Sequence, residues 1–187
     1  SVPALLLLAR INYLLGKLEL CGAILGMAQQ IDEGNGEAQL LLGLLALARG
    51  RDNPDGGRIA ATAAFRRATE LDPSLGLAWH NLAAQYVLAK NYDQALAAAQ
   101  RAATLLPAAS GVQLNLGSAL RGVGRHGEAL ETYRRLAERD PQLADVYFNL
   151  GVLMLDSPNI GGFDTLGQKR AALQYLMRYQ DMQQGRR

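Results

Sequence analysis

GLAWHNLAAQYVLAKNYDQALAAAQRAATLLPAA, residues 76–109, runs without a gap into SGVQLNLGSALRGVGRHGEALETYRRLAERDPQL, residues 110–143. In the first stretch Trp79, Leu82, Ala83 and Tyr86 recur at i, i+3, i+4 and i+7, the spacing of one helix face. The Lys90-Asn91-Tyr92-Asp93 segment breaks the pattern, and Ala95, Ala99 and Ala102 restore it in a second helix. The next stretch repeats the scheme with Leu116, Gly117, Leu120, Gly124, Ala129 and Tyr133. Asp72-Pro73, Leu106-Pro107 and Asp140-Pro141 fall 34 residues apart, each where a helix has to stop because proline cannot continue it. The unit is a two-helix hairpin.

Working outward, a further unit starts at Ala144 with Tyr147, Leu150, Gly151 and Met154, and resumes at Ala172 and Leu176 after nine inserted residues. Upstream, residues 36–75 give Leu42, Gly43, Ala46 and Gly50, then Ala61, Phe65, Ala68 and Pro73, with six extra residues placed in the turn. Residues 2–35 match through Leu8, Ala9, Asn12, Gly16, Cys21, Leu25 and Ala28, with Glu33 where the others carry proline. Five units result, at 2–35, 36–75, 76–109, 110–143 and 144–182, followed by a polar tail at 183–187 that is expected to fray. Cys21, Ala61, Ala95, Ala129 and Ala172 are small because paired helices approach there, and Phe65 and Tyr133 fill the space between hairpins. Gly16, Gly50 and Gly124 are expected to end helices in the left-handed conformation. In the last unit residues 156–163 form a breaker-rich loop, and Thr165-x-x-Gln168 has the form of a capping box that restarts a helix near Leu166.

This pattern resembles the tetratricopeptide repeat family over nearly the whole chain, most specifically from Trp79 through Pro141. The resemblance implies a single all-α domain, residues 1–187, wound as a right-handed superhelix with a concave groove for another polypeptide. Asn81, Asn115 and Asn149 lie 34 residues apart on the face that such superhelices turn inward. Each amide offers one acceptor and two donors, enough to pair with the backbone of an extended peptide. An exposed amide also tolerates having no partner, so the spacing alone leaves the use of this ladder open. His80, Ala84, Leu114, Ser118, Arg121, Asp145 and Phe148 are expected to line the groove around it. The matching inner-face positions of the first two units are apolar: Leu6, Leu7, Leu40, Leu41, Leu44 and Leu47 are expected to form an exposed hydrophobic interface for a partner helix or a second copy.

Composition removes other functions. The net charge is only +2, without the basic stripe that nucleic-acid binding needs. Arginine supplies 16 of the 19 basic residues, which fits a GC-rich bacterial source. No run reaches the length of a membrane span, and Leu5–Leu8 lacks the flanks of a signal peptide, although an export signal or lipid anchor upstream of Ser1 stays open. Gly122-Val123-Gly124-Arg125-His126-Gly127 spells a dinucleotide fingerprint, yet it falls where every unit has its turn and follows no strand. Residues 52–57 are acidic but lack the alternation and closing glutamate of a calcium loop, so a solvated loop is expected. His80 and His126 have no second ligand at metal spacing, and Cys21 has no base nearby in sequence. Neither a metal, a cofactor nor an enzymatic activity is expected.

The expected function is a non-catalytic scaffold that holds a partner peptide or helix, with a structural subunit that oligomerises through its N-terminal repeats as the rival. Residues 156–163, followed by Gln168-Lys169-Arg170-Ala171-Ala172-Leu173 and Tyr175-x-x-x-Tyr179, resemble the C-terminal segment of myxobacterial envelope lipoproteins of gliding motility. That resemblance implies a periplasmic protein anchored at the outer membrane within a motility complex. A cytoplasmic adaptor is the alternative.

Overall fold

A computed structural model describes residues 1–157 and 159–185. Every regular element among them is helical: α1 (Val2–Leu14), α2 (Leu18–Ile31), α3 (Gly36–Arg49), α4 (Pro54–Leu71), α5 (Gly76–Leu88), α6 (Tyr92–Leu105), α7 (Ser110–Gly122), α8 (His126–Arg139), α9 (Ala144–Asp156) and α10 (Thr165–Gln184), with a short 3-10 turn at Ile160–Gly162. Contacts divide the chain into two compact units, Ser1–Gln85 and Tyr86–Arg187.

The N-terminal unit packs α1 against α2 and α3 against α4, with α3 also touching α1 and α2. Its core gathers Leu6, Ala9, Cys21, Ile24, Leu25, Ala28, Ala38, Leu41 and Leu45. Asn35 caps α3 by accepting from the Ala38 amide at 3.0 Å, and Asn53 caps α4 through the Gly56 amide at 3.1 Å with Pro54 pre-set in the first turn. Only part of the six-residue excess lies in the turn. The rest lengthens α4 to 18 residues against the 14 of α2, so Pro54–Gly57, expected in a loop, form its first turn. Gly50 also departs from expectation, with φ of −71°. Glycine is needed there because a Cβ would lie 2.8 Å from the Cα of Gly57. Phe65 is fully buried, and its ring lies where a Cβ on Gly43 would come within 2.4 Å.

In the C-terminal unit α6 packs on α7, α7 on α8, α8 on α9 and α9 on α10. Its core joins Leu120, Leu130, Tyr133, Leu136, Val146, Leu150, Leu153 and Met154 with Ala172 and Ile160. Here Tyr133 stands as Phe65 does, and a Cβ on Gly117 would meet its ring at 2.3 Å. The turn between α7 and α8 passes through Gly124 at φ of +80°, as the first turn of the chain passes through Gly16 at +70°. The turn before α6 adopts the same conformation at Lys90, with φ of +58°. The GxGxxG string is therefore the last residue of α7, a turn and the start of α8.

The inserted segment is fastened by one side chain. Gln168, buried in α10, accepts from the Ile160 amide at 3.1 Å and donates to the carbonyls of Met154, at 2.6 Å, and Ser157. The helix cap is Asp164, which accepts from the Gly167 amide at 2.7 Å, so Thr165 and Gln168 do not form the expected capping box. Helix α10 continues through Gln184, taking in the first two residues of the expected frayed tail. Pro158 of the expected loop and Arg186 and Arg187 of the tail lie outside the described residues.

Candidate functional site

A recurring bond sets the approach to each first helix. Trp79 Nε1 donates to the Pro73 carbonyl at 3.0 Å, Gln113 Nε2 to that of Pro107 at 3.2 Å, and the Tyr147 hydroxyl to that of Pro141 at 3.2 Å. Three different side chains, 34 residues apart, satisfy the same carbonyl at the helix junction. In the sequence Trp79 and Tyr147 read as apolar markers, and Gln113 shows no hydrophobic periodicity that would mark it.

In the C-terminal unit, α7 carries Leu114, Asn115, Ser118 and Arg121 at i, i+1, i+4 and i+7, and the adjoining α9 carries Asp145, Phe148 and Asn149. Several of these expected ligand contacts serve the fold itself. Ser118 Oγ lies 3.0 Å from Tyr133 Oη, which donates to Asn149 Oδ1 at 3.4 Å. Tyrosine has a single hydroxyl proton, so Ser118 is the donor in the first bond. Asn149 Nδ2 then donates to the Asp145 carbonyl at 2.8 Å. Burial pushes the Tyr133 hydroxyl up to about 12, against the smaller opposing effects of Ser118 and Arg121. Arg121 Nη1 reaches across to Asp156 Oδ2 at 2.5 Å, while its buried Nε has no acceptor among the described residues.

Phe148 differs from these. Its ring is 45% exposed and packs on Tyr179 of α10 with centroids 5.3 Å apart and planes tilted by 51°. Asp145 is exposed, and Leu114 and Asn115 are half-buried. Helices α7 and α9, braced by the Ser118–Tyr133–Asn149 chain, thus carry an exposed aromatic ring together with amide and acidic side chains.

His80, Asn81 and Ala84 belong to the N-terminal unit, where all three are half-buried. Asn81 Nδ2 donates to the Leu77 carbonyl at 2.7 Å, one turn back, as Asn149 does on α9. Burial holds the His80 imidazole below its ordinary range.

The apolar interface expected on α1 and α3 is corrected at three residues. Leu6, Leu40 and Leu41 are 4%, 5% and 3% exposed, and Leu6 and Leu41 join one core where α3 packs on α1. Leu7 is exposed, and Leu44 and Leu47 are half-buried. The sequence pattern placed all six on one side of the helices but could not show that tertiary packing would cover half of them. Cys21 is fully buried, and burial raises its thiol above the ordinary range despite the neighbouring Arg49 charge. No helix among the described residues is long and apolar enough to cross a membrane.

Residues 110–143 match the tetratricopeptide repeat family model. Among curated protein sequences none matches the chain significantly. Solved structures resemble it along almost its full length. YrrB, described as a tetratricopeptide protein with an unusual peptide-binding site, aligns with a TM-score of 0.76 at 21% identity, over 98% of this chain and 87% of its own. MamA from Desulfovibrio magneticus RS-1, from residue 41 to the end, aligns with a TM-score of 0.76 at 16% identity, over 98% and 96%. Residues 110–143 are a tetratricopeptide repeat, and the fold of the chain is that of tetratricopeptide-repeat proteins.

Proposed function

We propose that this chain is a non-catalytic protein-binding scaffold whose C-terminal unit holds a peptide or helix of another protein along α7 and α9. The observation that carries the reading is Phe148, a ring left 45% exposed and held in place by Tyr179. A rigid, partly exposed aromatic is a typical anchor for a partner side chain, because little conformational entropy is lost when it is covered. Asn115, on the adjoining helix, and Asp145, one turn before Phe148, supply polar groups for a peptide backbone or a basic side chain. The likeness to YrrB supports the reading, since that protein is described as having a peptide-binding site.

Isothermal titration of peptides selected on an array tests it. Asn115→Ala should weaken binding by about 1 kcal/mol, roughly fivefold, and Phe148→Ala by more, with helix content unchanged in both. Unchanged affinity in both variants would remove this face as the binding site. Membership of an envelope motility assembly is a finer proposal that draws on the resemblance of residues 156–179. Co-purification from the native cell with motility components would support it, and recovery with cytoplasmic clients alone would overturn it.

A further inference from the structure

A groove of about 420 Å³ lies between α8 and α10, each of which packs on α9. Arg134 and Glu138 line it from α8 and Tyr175 and Arg178 from α10, while the buried Tyr147 and Leu150 of α9 form its floor. Both walls and the floor belong to the C-terminal unit and to consecutive hairpins within it, so the chain itself encloses the groove on either side. Tyr147 and Phe148 are consecutive in α9 and point about 100° apart around the helix, which separates this groove from the residues proposed above to hold a peptide.

Arg178 is held over the floor, its guanidinium carbon 4.2 Å from the centroid of the Tyr147 ring. Tyr147 is fixed in turn by its hydroxyl, which donates to the Pro141 carbonyl at 3.2 Å. A guanidinium stacked on a ring keeps the N–H donors at its edge free and loses little entropy when an acceptor arrives. Neither Arg178 nor Arg134 has an ion pair or hydrogen bond among the described residues, although Arg135 of α8 is paired with Glu131 and Arg139 donates to the Pro107 carbonyl. The hydroxyl of Tyr175 is likewise without a partner among them. Counted from Ala129 and Ala172, the hairpin before has Thr132 at the position of Tyr175 and the paired Arg135 at that of Arg178. Gln100 and Gln113 stand there in place of Arg134 and Tyr147. The combination of two unpaired arginines with two tyrosines therefore belongs to this groove and is not a general property of the repeat.

We propose that the groove binds the side-chain carboxylate of an acidic residue in a partner polypeptide, held by Arg134 and Arg178 with the Tyr175 hydroxyl as a further donor. Guanidinium groups match a carboxylate with paired, charge-assisted hydrogen bonds. Glu138 decides against a phosphate. Two arginines and one glutamate give the lining a net charge of +1, which suits a monoanion and repels a dianion at short range. Leu150 and the rings of Tyr147 and Tyr175 cover the methylenes of the bound side chain. A groove between two helices also admits a residue from the middle of a chain.

NMR titration of the isotope-labelled chain with the blocked peptide acetyl-Ala-Glu-Ala-amide tests the proposal. Saturable shifts should appear at the side-chain N–H signals of Arg134 and Arg178 and at nearby amides of α8 and α10. Acetyl-Ala-Gln-Ala-amide should bind roughly tenfold or more weakly. Arg134→Gln and Arg178→Gln, both at exposed positions and checked for unchanged helix content, should each weaken the glutamate peptide by roughly fivefold or more. Arg135→Gln removes the same charge from α8 and should leave binding within about twofold, since Arg135 is already engaged with Glu131. No saturable shift at millimolar peptide would overturn the proposal, as would equal binding of the glutamine peptide. An Arg135→Gln loss as large as that of Arg134→Gln would also overturn it, because bulk charge alone would then explain the binding. Tighter binding of inorganic phosphate, or of acetyl-Ala-Gln-Ala with a free C-terminal carboxylate, would assign the groove to a different anion. Each of these results leaves the α7 and α9 reading untouched, since that reading is tested at Asn115 and Phe148.

Discussion

The hydroxyls of Tyr133 and Ser118 lie 3.0 Å apart and tie α8 to α7 inside the C-terminal unit, with Asn149 of α9 accepting the tyrosine proton. Three helices thus meet at one phenolic oxygen, and two of its partners lie on the face proposed to hold a ligand. Tyr133→Phe should cost about 1 kcal/mol in a urea melt while leaving the ring packed against Gly117. The hydroxyl also sets an alkaline limit. Its pKa is about 12 in the folded chain against an ordinary value of 10, so the stabilisation is complete below pH 10 and is lost between pH 10 and 12. The phenylalanine variant should lose less stability over that window than wild type does.

Lys90 occupies the left-handed region at φ of +58°, where Gly16 and Gly124 stand in the equivalent turns. A side chain there costs roughly 1–2 kcal/mol, and the greater unfolded freedom of glycine offsets part of the relief. Lys90→Gly should therefore stabilise the protein by about 0.5–1 kcal/mol, and Lys90→Val should destabilise it. The urea midpoint at unchanged slope measures both.

Burial lowers the folded pKa of His80 below the unfolded value of 6.5. The unfolded chain then binds more protons just below pH 6.5, so the stability present above that pH is lost as pH falls through this window. His80→Gln should flatten the dependence of the urea midpoint between pH 7.5 and the acid side of the window, as checked by melts at matched ionic strength. A slope identical to wild type would assign the acid sensitivity to other groups.

The helix hairpins were legible because their signals are local. Gly43 and Gly117 are glycine to admit the rings of Phe65 and Tyr133, and Pro73, Pro107 and Pro141 stop helices by their own chemistry. Each such residue acts within its own repeat and recurs with it. The candidate site was less legible because exposure depends on what lies alongside. Leu6 and Leu41 read as one apolar face with Leu7, which is exposed, and with Leu44 and Leu47, which are half-buried, and the packing of α3 on α1 separates them. Ser118, Arg121 and Asn149 read as groove residues from spacing, and the bonds they make to Tyr133 and Asp156 of other helices carry no signal in the sequence. The donors to the proline carbonyls escaped notice because Trp79, Gln113 and Tyr147 share only an N–H or O–H, although their 34-residue interval carried the signal. Gln168 had no counterpart to compare, since it secures a segment that the other repeats lack.

That single glutamine fastens the inserted segment to the helices on either side of it. Its amide holds both ends of the excursion, the last turn of α9 through Met154 and the 3-10 turn through Ile160, while Asn159, Gly161 and Gly162 stay exposed. Asn159, Gly161 and Gly162 hold the left-handed conformation, at φ of +53°, +69° and +76°, so they resist exchange for larger residues, while residues can be added at this exposed tip without disturbing the helical register on either side. It is a natural point for grafting a tag or a recognition epitope onto this scaffold.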